Sequence, residues 1–455
     1  MNVDVIILAA GQGSRMKSSL PKVMHGLGGK PMVQHVIDSA AGLGESVRRH
    51  VVIGHGGDAV RAALADSDIR FAEQAEQLGT GHAVAQAMPA VAEDSIALVL
   101  YGDVPLIKTE TLDALCRIAG RDHLGLLTVK LADPSGYGRI VRNDVGDVVA
   151  IVEHKDANES QLKIQEVNTG ILALPSRLLR EWLPQLSADN AQGEYYLTDV
   201  IAMAADNGVR IEAIQPMCEQ EVQGVNTRAQ LAMLERWYQR QQAEHLMAAG
   251  VTLADPDRFD LRGELTVGCD CYFDINLVIE GQVRIAEGVS IGPNCVIKDS
   301  VIGPGTRIEA NSLIEGAQVE ASASIGPFAR IRPGTELAEG AKIGNFVETK
   351  KAKIGPGSKV NHLSYIGDAQ IGSNTNIGAG TITCNYDGVN KSLTEIGDGA
   401  FIGSNTALVA PVKVGNGATV GAGSTITKTV DDQELAVARG KQTNIGGWKR
   451  PIKRS

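Results

Sequence analysis

Two places in this sequence gather residues suited to phosphate chemistry. The first is Leu8-Ala9-Ala10-Gly11-Gln12-Gly13-Ser14-Arg15-Met16, with Lys22 just beyond. Gly11 and Gly13 let backbone N–H groups approach an anion, and Arg15 and Lys22 add positive charge. No Gly-Lys-Ser/Thr follows, so this is not a Walker A loop, and Met16 stands where a Rossmann fingerprint has its third glycine. By glycine spacing alone, a structural strand-to-helix turn explains the stretch equally well. The second place is a pair, Arg332 and Lys350, 18 residues apart (350 − 332). Close after it come Asn361-His362-Leu363-Ser364-Tyr365. A histidine has the intrinsic pKa range for proton transfer near neutral pH, although a lone one on a surface is commonly only a surface residue.

The elements that position the second group repeat every six residues from about Glu264 to Lys428. Ile396, Ile402, Leu408, Val414, Val420 and Ile426 keep that spacing unbroken, as do Val319, Ile325, Ile331, Leu337 and Ile343, and Ile354, Val360 and Ile366 continue it. Glycine often follows, as in Ile291-Gly292 and Ile402-Gly403. A period of six is neither helical nor that of an ordinary strand. It fits a short strand and a corner, with one aliphatic per side pointing inward, stacked as a parallel β-helix of about eighteen residues per coil. Arg332 and Lys350 should then lie one above the other and repel. A phosphate between them removes the conflict; two solvated surface charges are the alternative. The period breaks at Thr383-Cys384-Asn385-Tyr386-Asp387-Gly388-Val389-Asn390-Lys391, and insertions in repeat proteins generally carry function.

In residues 1–225, strand-like runs such as 6–9, 51–53 and 97–100 alternate with helical patterns. One helix begins at Pro31 with Met32, Val33, Val36, Ile37 and Ala40 on one face. This predicts a mostly parallel sheet covered on both sides, with ligands at the carboxyl ends of its strands. Residues 226–250 read as a linker helix. Thr227-Arg228-Ala229-Gln230 forms a capping box, Leu231, Leu234, Tyr238 and Leu246 share a face, and Gly250 ends it. Residues 251–455 hold the repeats and a basic tail, Trp448-Lys449-Arg450-Pro451-Ile452-Lys453-Arg454.

The totals agree with two or three domains in 455 residues. The net charge of −10 argues against broad nucleic-acid binding. Aromatics are 4%, as a narrow coil without room for large rings requires. The apolar run Val5–Ala10 is too short for a membrane span and lacks a signal peptide's basic start, so a cytoplasmic protein is expected. Of Cys116, Cys218, Cys269, Cys271, Cys295 and Cys384, only Cys269 and Cys271 are close-spaced, and no zinc set is completed.

The glycine loop through Arg15-Met16 and Leu20-Pro21-Lys22 resembles the sugar-phosphate nucleotidyltransferases. Gln74-Ala75-Glu76-Gln77-Leu78-Gly79-Thr80-Gly81, Tyr101-Gly102-Asp103-Val104-Pro105, Gly136-Tyr137-Gly138-Arg139, Glu153-His154-Lys155 and Asn168-Thr169-Gly170 follow in that family's order. Together with the hexads, the whole chain is similar to the bacterial bifunctional enzymes that acetylate glucosamine-1-phosphate and then uridylylate the product. The fold so implied is an α/β Rossmann-like nucleotidyltransferase domain followed by a left-handed parallel β-helix of hexapeptide repeats.

The resemblance implies roles by position. Leu8, Ala9, Ala10, Gly11, Gln74, Gly79, Thr80, Tyr101 and Gly102 would hold the uridine nucleotide. Arg15 and Lys22 would neutralise the triphosphate and serve catalysis. Gly138, Glu153 and Asn168 would hold N-acetylglucosamine, and Asp103 and Asn226 would ligate Mg²⁺. Oxygen ligands suit that ion, which takes few protein groups; taken singly, Asp103 serves equally well as a turn residue. Gln12 departs from the basic residue common among relatives. His362 would be the base for acetyl transfer. Arg332, Lys350, Tyr365 and Asn376 would bind the sugar phosphate, and Ala379, Asn385, Tyr386, Ser404, Ala422 and Arg439 would bind acetyl-CoA, Ala379 and Ala422 through backbone or shape. A homotrimer is implied, because one coil face is too shallow for acetyl-CoA. The basic tail would meet CoA phosphates or be solvated. Two other readings are a nucleotidyltransferase whose β-helix only assembles or regulates, and a repeat scaffold with a degenerate nucleotide domain.

Overall fold

The computed structural model describes residues 2–65 and 68–453. The chain divides into two units, Met1–Tyr238 and Gln239–Ser455.

In the first unit the strand Val3–Ala9 lies between Val47–Ile53 and Ile96–Tyr101, parallel to both. Its side chains alternate between two cores. Val3, Val5, Ile7 and Ala9 pack with Val33, Val36 and Ile37 of the helix Met32–Ala41. Ile6 and Leu8 pack with Ala83, Val84 and Ala87 of the helix Thr80–Ala87 on the opposite face. Burial on both faces explains why the strand reads as a continuous apolar run rather than an alternating one. The five residues expected on one face of the helix after Pro31 are all buried, with Pro31 itself as the N-cap.

The sheet is less uniformly parallel than expected. Its main path runs Ile211–Ile214, Leu124–Lys130, Glu166–Pro175, Ile96–Tyr101, Val3–Ala9, Val47–Ile53 and Arg70–Glu73. Glu166–Pro175 is antiparallel to both of its neighbours. The chain reaches it from an antiparallel ribbon, Arg139–Arg142 with Val148–Val152, rather than through the long crossover that a parallel pairing needs. The change of direction around Val3–Ala9, whose sequence successors lie on one side and Ile96–Tyr101 on the other, leaves a crevice at the carboxyl ends of those strands.

The expected capping box opens the helix Arg228–Ala248. Gln230 N–H donates to Thr227 Oγ1 at 3.2 Å, and Thr227 N–H donates back to Gln230 Oε1 at 3.0 Å. Leu231, Leu234 and Tyr238 pack with Met16, Leu27 and Met32 in the first unit. Leu246 belongs to the core of the second. The division between units therefore falls inside the helix. Gly250, at φ +95°, ends it, and Val251 N–H returns to Leu246 O at 3.0 Å.

The second unit is the parallel β-helix that the hexads predict. On one side Ile291, Ile308, Ile325, Ile343, Val360, Ile377, Ile402 and Val420 stack in register. Coils take 17 or 18 residues rather than a uniform eighteen, except for 25 between Ile377 and Ile402, where the insertion lies. All six cysteines are free thiols. Among the described residues no helix is long and apolar enough to cross a membrane.

One charge is buried in the first unit's opening strand. Asp4, fully buried, accepts two hydrogen bonds from Arg48 at 2.7 and 2.6 Å, meets His50 Nε2 at 2.7 Å and accepts from Ala92 N–H at 3.1 Å. Burial alone would raise its pKa; Arg48, His50, Ser95 and Ala92 outweigh burial and hold it well below the usual carboxylate range. The folded value lies below the unfolded one, so this stabilisation is present at neutral pH, begins to fall in the ordinary carboxylate range and is lost as pH drops through the lower folded value. Asp4→Asn should therefore lose roughly 3 kcal/mol at neutral pH, and the gap to the parent should narrow in acid. Urea unfolding followed by tryptophan fluorescence at both pH values checks this; an equal gap at both would exclude the ion pair as its source.

Candidate active sites

In the first unit, Leu8, Ala9, Ala10, Gly11, Lys22, Gln74, Gly79, Thr80, Tyr101 and Asp103 line one cavity of about 200 Å³, at the crevice that the strand order creates. Gly13 takes φ +61°, and a Cβ there would come within 2.7 Å of Lys22 Cβ, so the glycine is what allows Lys22 to pack beside the loop. Gly79 takes φ +111° and lies against Tyr195 O, turning the chain so that the Thr80–Ala87 helix points its N-terminus at the cavity. Gly102 N–H donates to Leu8 O at 2.9 Å and ties the two strand ends together.

At the floor, the Lys22 ammonium pairs with Asp103 Oδ2 and donates to Asn226 Oδ1 at 3.0 Å. Val225 N–H holds Asp103 O at 2.9 Å, which brings Asn226 in from the far end of the unit. Two hard oxygens thus converge on one positive charge, an arrangement that fits a small divalent cation. Among the described residues no cluster of three or more His, Cys, Asp or Glu could hold a metal.

Gly138, Glu153 and Asn168 do not line that cavity but form a group of their own. Asn168 N–H donates to Gly138 O at 2.9 Å, and a Cβ on Gly138 would stand 3.3 Å from Glu153 Oε1. Burial raises the Glu153 pKa; the Thr198 hydrogen bond opposes this, while Asp156, Asp199 and Glu194 add to it. Tyr101 links the two groups: burial first, then Glu153 and Asp103, push its phenol well above the usual value. Arg15 is exposed on the Ser14–Met16 turn and does not line the cavity. Gln77 and Glu194 line it although sequence reasoning assigned them no role. Gln77 sits within the motif read from Gln74 to Gly81, and its amide meets Gln12 at 3.4 Å. Glu194 arrives from a distant loop with no local signal.

In the second unit, Arg330 pairs with Glu348 and Ile331 with Thr349, so Arg332 and Lys350 follow in the same register. Thr349 points inward and is fully buried, leaving Glu348 and Lys350 on the outer face with Arg332. Arg332 Nη1 donates to Glu348 Oε1 at 2.7 Å. A third cation comes from the insertion, which closes on itself through a Tyr386–Lys391 bridge. Lys391 is the largest cause holding the Lys350 pKa below the usual lysine value, followed by slight burial and Arg332, with Asp368 opposing. Lys391 lies in the stretch singled out from the broken period, yet no spacing rule pointed to it. Tyr365 stacks in register over Glu348.

Around the corner a column runs up one edge. Asn345 pairs with His362. Register then carries His362 under Ala379, Ala379 under Ser404, and Ser404 under Ala422. Backbone bonds join the steps: Gly380 N–H to His362 O at 3.2 Å, Asn405 N–H to Ala379 O at 2.7 Å and Gly423 N–H to Ser404 O at 2.8 Å. Arg439 Nη1 donates to Ala422 O at 2.7 Å at the upper end. Asn376 stacks over Lys359 on the same side as His362. Asn385 is buried and bonds Asp368, whereas Tyr386 is exposed with its hydroxyl on Gly388 O. Trp448 and Ile452 of the basic tail are exposed, and Arg454 lies outside the described residues.

A crevice at the strand ends of an α/β sheet and a polar column on stacked coils give the chain two separate candidate sites of the kind transferases use. Residues 5–192 match the MobA-like NTP transferase domain family, and residues 393–428 match the bacterial transferase hexapeptide family (six repeats). Full-length relatives agree. A protein of Marinobacter nauticus described as bifunctional protein GlmU is 63% identical over 99% of each chain. Proteins of the same description from Cellvibrio japonicus and Pseudomonas putida are 60% and 58% identical, over 100% of this chain and at least 99% of theirs. The chain belongs to the GlmU family, and it is a bifunctional transferase.

The Lys350 pKa shift has a consequence for binding. A lysine held below its ordinary pKa loses its proton at lower pH, so affinity for a phosphate monoester should fall as pH rises through that value. Lys391→Gln removes the main cause. It should weaken binding roughly tenfold at neutral pH, the loss of one charge-assisted contact, and move the alkaline fall to higher pH. Calorimetric titration with glucosamine-1-phosphate checks both; an unmoved alkaline limb would exclude Lys391 as the source.

Proposed function

We propose that the second unit transfers acetyl from acetyl-CoA to glucosamine-1-phosphate, and that the first joins N-acetylglucosamine-1-phosphate to UTP, releasing pyrophosphate. The observation that carries this reading is a cation cluster and a histidine at the foot of a polar column, carried on adjoining strands of the same coils, Glu348–Ile354 and Lys359–His362. Arg332, Lys350 and Lys391 suit the sugar phosphate, with Tyr365 and Asn376 beside the sugar. Ala379, Ser404, Ala422 and Arg439, with Asn385 and Tyr386 of the insertion, suit the pantetheine and nucleotide of acetyl-CoA.

The amine of glucosamine-1-phosphate is largely protonated near neutral pH. One proton is lost to solvent; His362 takes a second from nitrogen as the free amine bonds to the thioester carbon, and when the C–S bond breaks the imidazolium returns that proton to sulfur, so CoA leaves as the thiol. Uridylyl transfer needs no base, because the attacking phosphate oxygen is already ionised. That oxygen bonds to the α-phosphorus of UTP, and the bond to the β-phosphate breaks. The first site's work is alignment and charge neutralisation by Lys22 and Arg15, with the N-terminus of Thr80–Ala87 aimed at the nucleotide. Asp103 and Asn226 would hold Mg²⁺, which when bound supplies further positive charge to the phosphates. Glu153, Asn168 and Gly138 fit the sugar. UDP-N-acetylglucosamine, the product, serves bacterial peptidoglycan and lipopolysaccharide synthesis. Free thiols and these substrates suit the cytoplasm.

A homotrimer has support from one corner of the coils. Asn276, Asn294 and Asn311 occupy it with positive φ and side-chain bonds of 2.7 and 3.2 Å up the stack. The next three coils put Phe328, Phe346 and Leu363 there, at φ 55°, 56° and 50°, with 49%, 55% and 63% of their surface exposed. Non-glycine residues in this conformation cost about 1–2 kcal/mol each; Phe328 and Phe346 stack on each other at 5.2 Å, yet about half of each side chain stays exposed, an apolar surface that a neighbouring chain would cover. Sedimentation should give three copies, and Phe346→Asp should dissociate them and depress acetylation. Monomers that acetylate at the full rate would remove the need for a neighbour.

The two sites should fail independently. Asp103→Ala should cut uridylyl transfer at least a hundredfold, the scale of lost transition-state charge stabilisation, and spare acetylation. His362→Ala should cut acetylation by a similar factor and spare uridylyl transfer. Pyrophosphate release and CoA thiol release measure each step; equal loss of both activities in either variant would contradict separate sites.

A further inference from the structure

The strand Lys342–Asn345 lies directly beneath Lys359–His362. Asn345 meets its upper neighbours at two points. Its main-chain oxygen accepts Leu363 N–H at 3.1 Å, and its Oδ1 stands 2.7 Å from His362 Nδ1. We infer that Asn345 is a positioning residue for His362, a conclusion that rests on reading His362 as the acetylation base. The amide oxygen can only accept, so it keeps the imidazole proton on Nδ1 and leaves the Nε2 lone pair free. Nε2 then takes the amine proton, and the Nδ1–H bond to Asn345 persists in the imidazolium.

The choice of an amide rather than a carboxylate follows from the same geometry. His362 is exposed, so an unheld ring would sample orientations and tautomers that cannot act. An amide removes that freedom without adding the negative charge that would keep the ring protonated. Of the elements packed around it, the strand below brings Lys342 and its own strand Lys359, while Asn376 and Ala379 above bring no charge. Around the corner stand Tyr365 and Glu348. A carboxylate at position 345 would be the nearest charge to the ring, in direct hydrogen bond.

Three variants of the full chain separate the possibilities, with sedimentation and far-ultraviolet circular dichroism as the check that the β-helix of each is folded. Asn345→Ala should lower kcat for acetylation roughly ten- to a hundredfold, part of what a positioned base supplies, with KM for both substrates nearly unchanged. Asn345→Asp should restore much of kcat and move the acid limb of its pH profile upward by about one unit, because a carboxylate favours the imidazolium. Asn345→Ala with kcat within twofold of the parent, or Asn345→Asp with an unmoved acid limb, would overturn the inference. His362→Ala distinguishes the two levels: if it retains acetylation, the base itself is misassigned; if only the Asn345 variants are silent, the positioning role alone falls.

Discussion

Register between parallel coils governs everything functional in the second unit. Successive strands hydrogen-bond side by side at roughly 4.8 Å, so a residue's place on its coil decides what lies above and below it. Inward positions are spent on aliphatics such as Ile343, Val360 and Ile377, which stack into one core. Outward positions become columns, and a column of functional groups comes at little cost to the core. Asn345, His362, Ala379, Ser404 and Ala422 form such a column only because each coil between them returns to the same place. The insertion is absorbed between Ile377 and Ile402 without breaking the stack. A loop could therefore be added at the corner where it delivers Lys391.

The first unit obeys a different constraint. Both faces of its sheet are covered, so side chains of the strands have no free surface except at their ends. The cavity collects the ends of several strands and loops, and its members come from positions as distant as Leu8 and Glu194. The β-helix site can be assembled from near neighbours in the stack. The crevice requires the whole sheet to be in place before Lys22, Asp103 and Asn226 meet.

That difference explains what could be read from residues alone. The hexad period implied stacking, and stacking put Arg332 over Lys350 from their spacing; the structure keeps both. Coil length was legible only to within one residue, because the corner between Ile331 and Leu337 takes six residues where its counterparts, Ile297 to Ile302, Ile314 to Val319 and Thr349 to Ile354, take five, with the inward positions still in register. The helix after Pro31 was legible down to its buried face, since a single period of 3.6 decides it. The direction of Glu166–Pro175 was not, because it depends on how a ribbon far upstream returns the chain. Most of the cavity's lining lay in recognisable local motifs. Glu194 did not, and it reaches the cavity through contacts that no local pattern encodes; Lys391, at the other site, lay in the stretch where the period breaks, but nothing there distinguished it from its neighbours.

The electrostatics of the two sites also differ, and the difference bears on how each selects its ligand. At the crevice, Lys22 is already compensated by Asp103 and bonded to Asn226. The lining sets one ammonium against two carboxylates, Asp103 and Glu194, so excess positive charge does not draw a ligand in, and selection falls to shape and hydrogen bonding along the Gly11 loop, Gln74 and the end of the Thr80–Ala87 helix. At the coil corner, Glu348 answers Arg332, but Lys350 and Lys391 remain close enough to lower the Lys350 pKa. That site carries an excess of positive charge which a phosphate relieves. On the proposed reading, recognition of the sugar phosphate begins with its charge, while the neutral amide beneath His362 adds no negative charge beside the ring.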